Sequence, residues 1–187
     1  MSESTLKLEL LKKHPNKYFI ETGTARGEGV AVAIEAGFEN IISIEANGET
    51  FALACKRFID NPEVVCVLGD SGIVLPDIIR SIQEPITFWL DAHWSTGETE
   101  LGPSVDKCPI LQDVAAIGQH PVKSHTILID DIRYFRAGGI PIWNLVTLGD
   151  IMDQIMEVNP LYRIDFADGF IANDVLVATV DGNDIQR

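Results

Sequence analysis

The chain reads as an α/β protein: a three-layer sandwich with a mostly parallel sheet and an antiparallel hairpin at its C-terminal end. Three observations predict this. Short continuous apolar runs alternate five times with helix-compatible segments, the pattern of a parallel sheet covered on both faces. Each of those runs ends in a carboxylate, at Glu21, Glu45, Asp70, Asp91 and the pair Asp130-Asp131. The last two runs, 161–166 and 175–180, are separated by a turn-rich stretch at Ala167-Asp168-Gly169, so they pair as a hairpin at one edge. With 187 residues the chain suits a single domain, 1–187, with a sizeable core.

The elements follow in order. Leu6, Leu8, Leu10 and Leu11 set against lysines and glutamates predict an amphipathic helix over 2–14. Tyr18-Phe19-Ile20-Glu21 is a strand running into Thr22-Gly23-Thr24-Ala25-Arg26-Gly27-Glu28-Gly29. Such a glycine-rich turn lets backbone approach a ligand and aims the N–H groups of the next helix at it. That helix stops at Gly37. A second strand covers 41–45, and Asn47 caps a helix over 48–59 that Asn61-Pro62 ends. A third strand, 64–68, leads to a helix over 72–82, where Pro76 is tolerable only near the first turn. The fourth strand, 86–90, precedes a polar loop over 94–107, long for a compact domain and expected to border an active site. Pro109 opens a helix ending near Gly118, and a fifth strand covers 125–129. Residues 132–145, with Gly138-Gly139 and Pro141, read as irregular. A helix over 147–158 ends before Pro160.

Composition narrows the partners. The net charge of −14 repels phosphate backbones and anionic lipid, so neither nucleic acid nor a membrane surface is an expected partner. No stretch is long and apolar enough to span a bilayer. Cys55, Cys66 and Cys108 are odd in number and lack CxxC spacing, which fits a reducing, cytoplasmic setting and no disulfide or zinc framework.

In an open α/β sheet, ligands bind beyond the carboxyl ends of the strands. Five acids converging there are costly unless something positive or hydrogen-donating joins them. Glu45, about 20 residues past the glycine turn, is placed to accept from ribose hydroxyls. Asp70, with Ser71 beside it, is placed to accept from an adenine amino group. A dinucleotide would need glycines at 23, 25 and 28, where the chain has Gly23, Ala25 and Glu28. An acid at the helix start repels a pyrophosphate, whereas a cationic nucleoside removes that objection.

Glu21-Thr22-Gly23-Thr24-Ala25-Arg26-Gly27, Ile44-Glu45, Gly69-Asp70-Ser71 and Phe88-Trp89-Leu90-Asp91-Ala92-His93 together resemble the class I S-adenosylmethionine-dependent methyltransferases. The resemblance implies a Rossmann-like, seven-stranded sheet with the last strand inserted antiparallel. It also implies S-adenosylmethionine held by Glu21, Gly23, Thr24, Ala25, Gly27, Glu45, Asp70, Ser71 and Asp91. The family's first motif carries a glycine where this chain has Ala25. Asp91 with Asp130-Asp131 resembles the metal site of small bacterial O-methyltransferases of the macrocin type. Hard oxygen ligands of that kind suit Mg²⁺.

His93, two residues past Asp91, is the candidate general base, with a metal-ligand role or orientation of Asp91 as the alternatives. His93 and Asp91 are thus the catalytic candidates. Trp94, Tyr134, Phe135 and Trp143 are candidates to wall an acceptor pocket, with a core position as the alternative for Trp143, and Arg133 and Arg136 are expected to pair with surface acids, with an anionic acceptor as the alternative. The expected activity is methyl transfer to a hydroxyl of a small molecule, with a homo-oligomer closing the site. The competing expectations are a non-catalytic cofactor-binding module and, disfavoured by the glycine pattern, an NAD-binding oxidoreductase.

Overall fold

The structure is a computed structural model that describes residues 5–93, 107–136 and 138–181. Its strands are β1 (Tyr18–Thr22), β2 (Asn40–Glu45), β3 (Val64–Leu68), β4 (Ile86–Leu90), β5 (Thr126–Ile129), β6 (Arg163–Ala167) and β7 (Val175–Thr179). They form one sheet in the order β3-β2-β1-β4-β5-β7-β6. All pairings are parallel except those of β7, which lies antiparallel between β5 and β6. The order reverses direction at β1 and β4, and there the carboxyl ends of two central strands meet. This is the expected seven-stranded sandwich with its terminal hairpin.

The helices are α1 (Leu8–Lys12), α2 (Glu28–Ala36), α3 (Gly48–Arg57), α4 (Ser71–Ile79), α5 (Ile110–Gln119), α6 (Ile132–Arg136) and α7 (Leu148–Val158). One core cluster packs Leu75, Ile79, Val114, Ile117, Ile151 and Ile155 of α4, α5 and α7 on one face of the sheet. The other packs Leu10, Leu11, Val30 and Ala33 of α1 and α2 against Phe19, Trp89 and Leu128. Burying both faces explains the unbroken apolar runs, most plainly in β4, where every residue is buried.

Local chemistry sets the boundaries. Asn47 accepts from the backbone N–H groups of Glu49 and Thr50 and caps α3 as expected. Thr147 and Asp150 form a reciprocal capping box on α7. Gly37 ends α2 in the left-handed region at φ 89°.

Three expectations need correction. The N-terminal helix is only Leu8–Lys12; the predicted residues 2–4 lie outside the described ones, and Leu6 is buried ahead of the helix. Pro76 sits inside α4 rather than in its first turn, held by the buried Leu75 and Ile79 on either side of it. The segment predicted irregular contains α6 and a 3-10 turn at Pro141–Trp143. Burial of Ile132, Phe135 and Trp143 overrides the glycine and proline signals there.

A polar network closes the opposite edge of the sheet. His125 Nδ1 accepts from Ile86 N–H at 3.0 Å, and His125 Nε2 lies 3.0 Å from His120 Nδ1. His120 Nδ1 also accepts from Val122 N–H, while its Nε2 lies 3.1 and 2.9 Å from the Ile79 and Ile82 carbonyls. These partners fix both tautomers: each histidine carries its proton on Nε2 and is neutral. Burial first, then neighbouring His120, pushes His125 down to about 3. A histidine held below its ordinary value stabilises the fold fully above pH ~6.5, and that contribution is lost as pH falls toward about 3. Urea midpoints should therefore decline across this window. His125→Phe should lose about 1–3 kcal/mol at pH 7 by leaving Ile86 N–H unpaired, and its decline in acid should be shallower.

Candidate functional site

The end of β1 turns sharply at Gly23. Its φ of 88° is open to glycine, and a Cβ there would lie 2.6 Å from the Asp91 carbonyl oxygen. Gly23 thus lets the ends of β1 and β4 abut. The turn continues through Ala25 at φ 45° and Gly27 at φ 81°. Ala25 holds a left-handed conformation without a glycine, and its N–H donates to Glu45 Oε2 at 2.9 Å. Glu45 Oε1 accepts from Asn47 N–H at 2.9 Å, so the acid expected at the ribose is pinned between the turn and the cap of α3.

Glu21 is buried beneath the first turn of α2. Ser43, directly across β2, donates to Glu21 Oε2 at 2.6 Å, and Thr24 Oγ1 lies 2.6 Å from Ser43 Oγ. A Cβ on Gly29 would meet Glu21 Oε1 at 1.8 Å, so the absent side chain of Gly29 makes the space the carboxyl occupies. Burial pushes Glu21 up to about 8 against the Ser43 hydrogen bond, with Glu45 and Glu28 adding to the rise. Above it opens a cavity of about 540 Å³ lined by Glu21, Gly23, Thr24, Ala25, Asp91, Lys7 and Phe170 among others. That volume is in the usual range for a nucleoside-sized ligand.

The remaining expected cofactor residues sit apart from this cavity. Asp70 caps α4 through Gly72 N–H at 3.1 Å. Ser71 donates to Asp113 Oδ2 at 3.1 Å. Glu45 and Gly27 hold the turn rather than line the space.

Beyond β4 and β5 the acids gather with His93. Its Nε2 lies 2.6 Å from Asp131 Oδ2 and its Nδ1 lies 3.6 Å from Asp91 Oδ1. Among the described residues, neither ring nitrogen makes a contact that meets hydrogen-bond geometry. The ring stacks on Trp143 with centroids 4.4 Å apart. Asp131, at φ 59°, is turned toward His93 and Arg133, whose NH1 lies 2.5 Å from Asp131 Oδ1. Arg133 also pairs with buried Asp174. Asp130 faces elsewhere: it accepts from the Thr5 hydroxyl and, at 2.8 Å, from Asp131 N–H.

Among the described residues, the side chains placed to share a metal ion are Asp91, His93 and Asp131, and separately Asp130, Asp131 and Asp174. The expected trio of Asp91, Asp130 and Asp131 is therefore divided, with His93 in the place of Asp130. Asp130 is drawn away by its bonds to Thr5 and to Asp131 N–H.

The cluster's electrostatics follow from desolvation. Asp91 is pushed well up by burial and by neighbouring Asp130, Asp131 and Glu21, with Arg133 working against them. Asp131 rises to about 6 by burial and the Asp130 charge. His93 falls to about 4 through burial and then Arg133, so it is neutral at pH 7.

The aromatic residues expected to wall an acceptor pocket divide as well. Trp143 and Phe135 are buried beside His93, Tyr134 packs edge-on against Trp143, and Trp94 lies outside the described residues with most of the 94–107 loop. Arg136 donates to the Asn173 carbonyl at 2.7 Å, and among the described residues it has no ion pair with an acid. Lys7, Gly29, Ser43, Asp113, Phe170 and Asp174 were not found by sequence reasoning. Ser43 alone had a signal, as a polar residue inside an apolar strand.

No protein-family model matches the chain, and no curated relative matches it. Its structure is similar to solved ones. The methyltransferase PaMTH1 from Podospora anserina, bound to SAH, has a TM-score of 0.67 at 14% identity, over 93% of this chain and 76% of that one. The O-methyltransferase TomG from Streptomyces achromogenes, in complex with SAM, has 0.63 at 14%, over 94% and 78%. Fibrillarin from Aeropyrum pernix, with natively bound S-adenosyl-L-methionine, has 0.59 at 13%, over 92% and 73%. These likenesses establish the Rossmann-like methyltransferase fold.

Gly29→Ala should destabilise the protein by about 2–3 kcal/mol, because the new methyl collides with the buried Glu21 carboxyl. Combining it with Glu21→Ala should recover at least about 1 kcal/mol in a double-mutant cycle of urea midpoints.

Proposed function

We propose that this chain is an S-adenosylmethionine-dependent methyltransferase acting on a hydroxyl of a small molecule. The observation that carries the reading is the cavity over the β1–β4 junction. Its walls bring Glu21, Gly23, Thr24, Ala25 and Asp91 together on a fold whose solved neighbours hold SAM or SAH. Those walls are acidic and suit the sulfonium and amino charges. Lys7 is the cationic side chain among the described lining residues and suits the methionine carboxylate. The net charge of −14 favours a small acceptor over a polyanion, although fibrillarin shares the fold.

In the reaction the acceptor oxygen attacks the methyl carbon in line, the carbon–sulfur bond breaks, and S-adenosylhomocysteine leaves. The chain's part is to hold donor and acceptor in that line and to take the hydroxyl proton. Neutral His93 can take it at Nε2, and Asp131 beside it stabilises the resulting imidazolium. Trp143 fixes the plane of the ring.

The donor set also fits a divalent cation, since one ligand atom each from Asp91, His93 and Asp131 converges within 4.8 Å of the others. Asp91, His93 and Asp131 would hold it. The imidazole moves the preference from magnesium toward an ion that accepts nitrogen as well as oxygen, such as manganese. Bound there, a cation would supply Lewis acidity that lowers the pKa of a coordinated hydroxyl.

Thermal unfolding should shift upward with S-adenosylmethionine and S-adenosylhomocysteine and stay put with NAD; no shift with either sulfur compound overturns the reading. Manganese binding by calorimetry should be lost in Asp91→Ala and Asp131→Ala. Because Glu21 must ionise to meet a cation, S-adenosylmethionine affinity should rise as pH climbs toward about 8. Calorimetry at stepped pH should show the slope flattened, and binding weakened, in Glu21→Gln.

A further inference from the structure

Phe170 is the most exposed large aromatic side chain among the described residues, with 73% of its surface open. It stands on the loop that joins β6 to β7. Single exposed apolar side chains are ordinary on a protein surface. Two observations separate Phe170 from that background.

The first is its place. Phe170 and Gly169 of the same loop line the cavity of about 540 Å³ over the β1–β4 junction, with Glu21 and Asp91 in the same wall. The other aromatic of that lining, Trp89, is 2% exposed, so Phe170 is the aromatic that offers an open surface there.

The second is that its loop is pinned. Asp168 Oδ1 accepts from Asn173 N–H at 3.0 Å, and the Asn173 carbonyl accepts from Arg136 at 2.7 Å. Asp174 accepts from Arg133 N–H at 2.9 Å and pairs with the guanidinium of the same residue. The Asp174 carbonyl accepts from Ile132 N–H at 2.9 Å. The guanidinium carbon of Arg133 lies 5.0 Å from the centroid of the Phe170 ring. A ring placed in advance loses little freedom when a ligand covers it.

We propose that Phe170 is a cofactor-binding residue, a fixed apolar cover that packs against S-adenosylmethionine in the cavity that Glu21 and Asp91 line. The proposal rests on the methyltransferase reading of that cavity. Glu21 and Asp91 meet the positive charges of the ligand, and Phe170 meets its carbon. Taking about 60 Å² of apolar surface out of water strengthens binding about tenfold. Excluding water also strengthens the charge contacts beside the ring.

The test is calorimetry with S-adenosylmethionine and S-adenosylhomocysteine on the full-length wild type, Phe170→Ala and Phe170→Leu. The alanine variant should bind both about tenfold more weakly. The leucine variant should stay within about threefold of wild type, because it keeps most of the apolar area. Urea midpoints of both should match wild type, since an exposed ring adds little to the fold. In Phe170→Trp the added indole should be open to quenching by acrylamide and become shielded when S-adenosylhomocysteine saturates the protein. Wild type, with Trp89, Trp94 and Trp143, supplies the background.

Wild-type affinity in Phe170→Ala, a leucine variant as weak as the alanine one, or an indole quenched equally with and without S-adenosylhomocysteine overturns the proposal. If Phe170→Ala proves unfolded, the shielding of the indole decides. A wild type that binds neither sulfur compound removes the methyltransferase reading and this cover with it. A wild type that binds both, with Phe170→Ala binding equally well, overturns the cover alone.

Discussion

The contact on which the site depends is the abutment of β1 and β4 at Gly23 and the Asp91 carbonyl. Nothing larger than hydrogen fits between them. The two central strands can therefore end side by side, and each delivers its last acid to the same place. The turn that follows leaves the sheet plane at once, which opens α2 over Glu21 and leaves room for a ligand above. A side chain at position 23 would separate the strand ends and with them Glu21 and Asp91. The glycine turn is thus a spacing device between strands before it is a cradle for anything bound.

The acids held there are not a simple patch of negative charge. Burial raises Glu21, Asp91 and Asp131, so part of the cluster carries protons when nothing cationic is present. Arg133 neutralises the outer side through Asp131 and Asp174. The site therefore holds a reserve of negative charge that appears when a cation enters. This arrangement avoids a fixed excess of bare carboxylates, which would be costly to bury.

The sheet was legible in the residues because its signal is local: apolar runs of strand length, each closed by an acid and separated by helical stretches. The hairpin was legible for the same reason. The membership of the acid cluster was only half legible. Asp130 and Asp131 are adjacent and chemically identical, and what tells them apart is a left-handed turn at Asp131 and a hydroxyl from Thr5, 125 residues away in the chain. Asp113 and Lys7 reach the site from helix and N-terminal positions with no motif to mark them. Gly29 looked like one more flexible residue of the turn, and only the packing of Glu21 shows that it is needed for its small size. Pro76 and the 132–145 segment show the reverse case, where strong local breakers yield to buried neighbours on both sides.

The histidine pair beneath the sheet joins parts of the chain that reach it by different routes. His125 at the start of β5 holds the first amide of β4, His120 holds carbonyls at the end of α4, and Tyr162 ahead of β6 donates to the His125 carbonyl at 3.0 Å. Three connections are thus knotted at one buried point, on the side away from every ligand group. The molecule has a foot clamped by neutral histidines and a crown tied by charged groups, from Glu45 at the turn to Arg133 between Asp131 and Asp174. A substitution among the acids at the crown leaves these contacts at the foot in place, so the strands keep this anchorage.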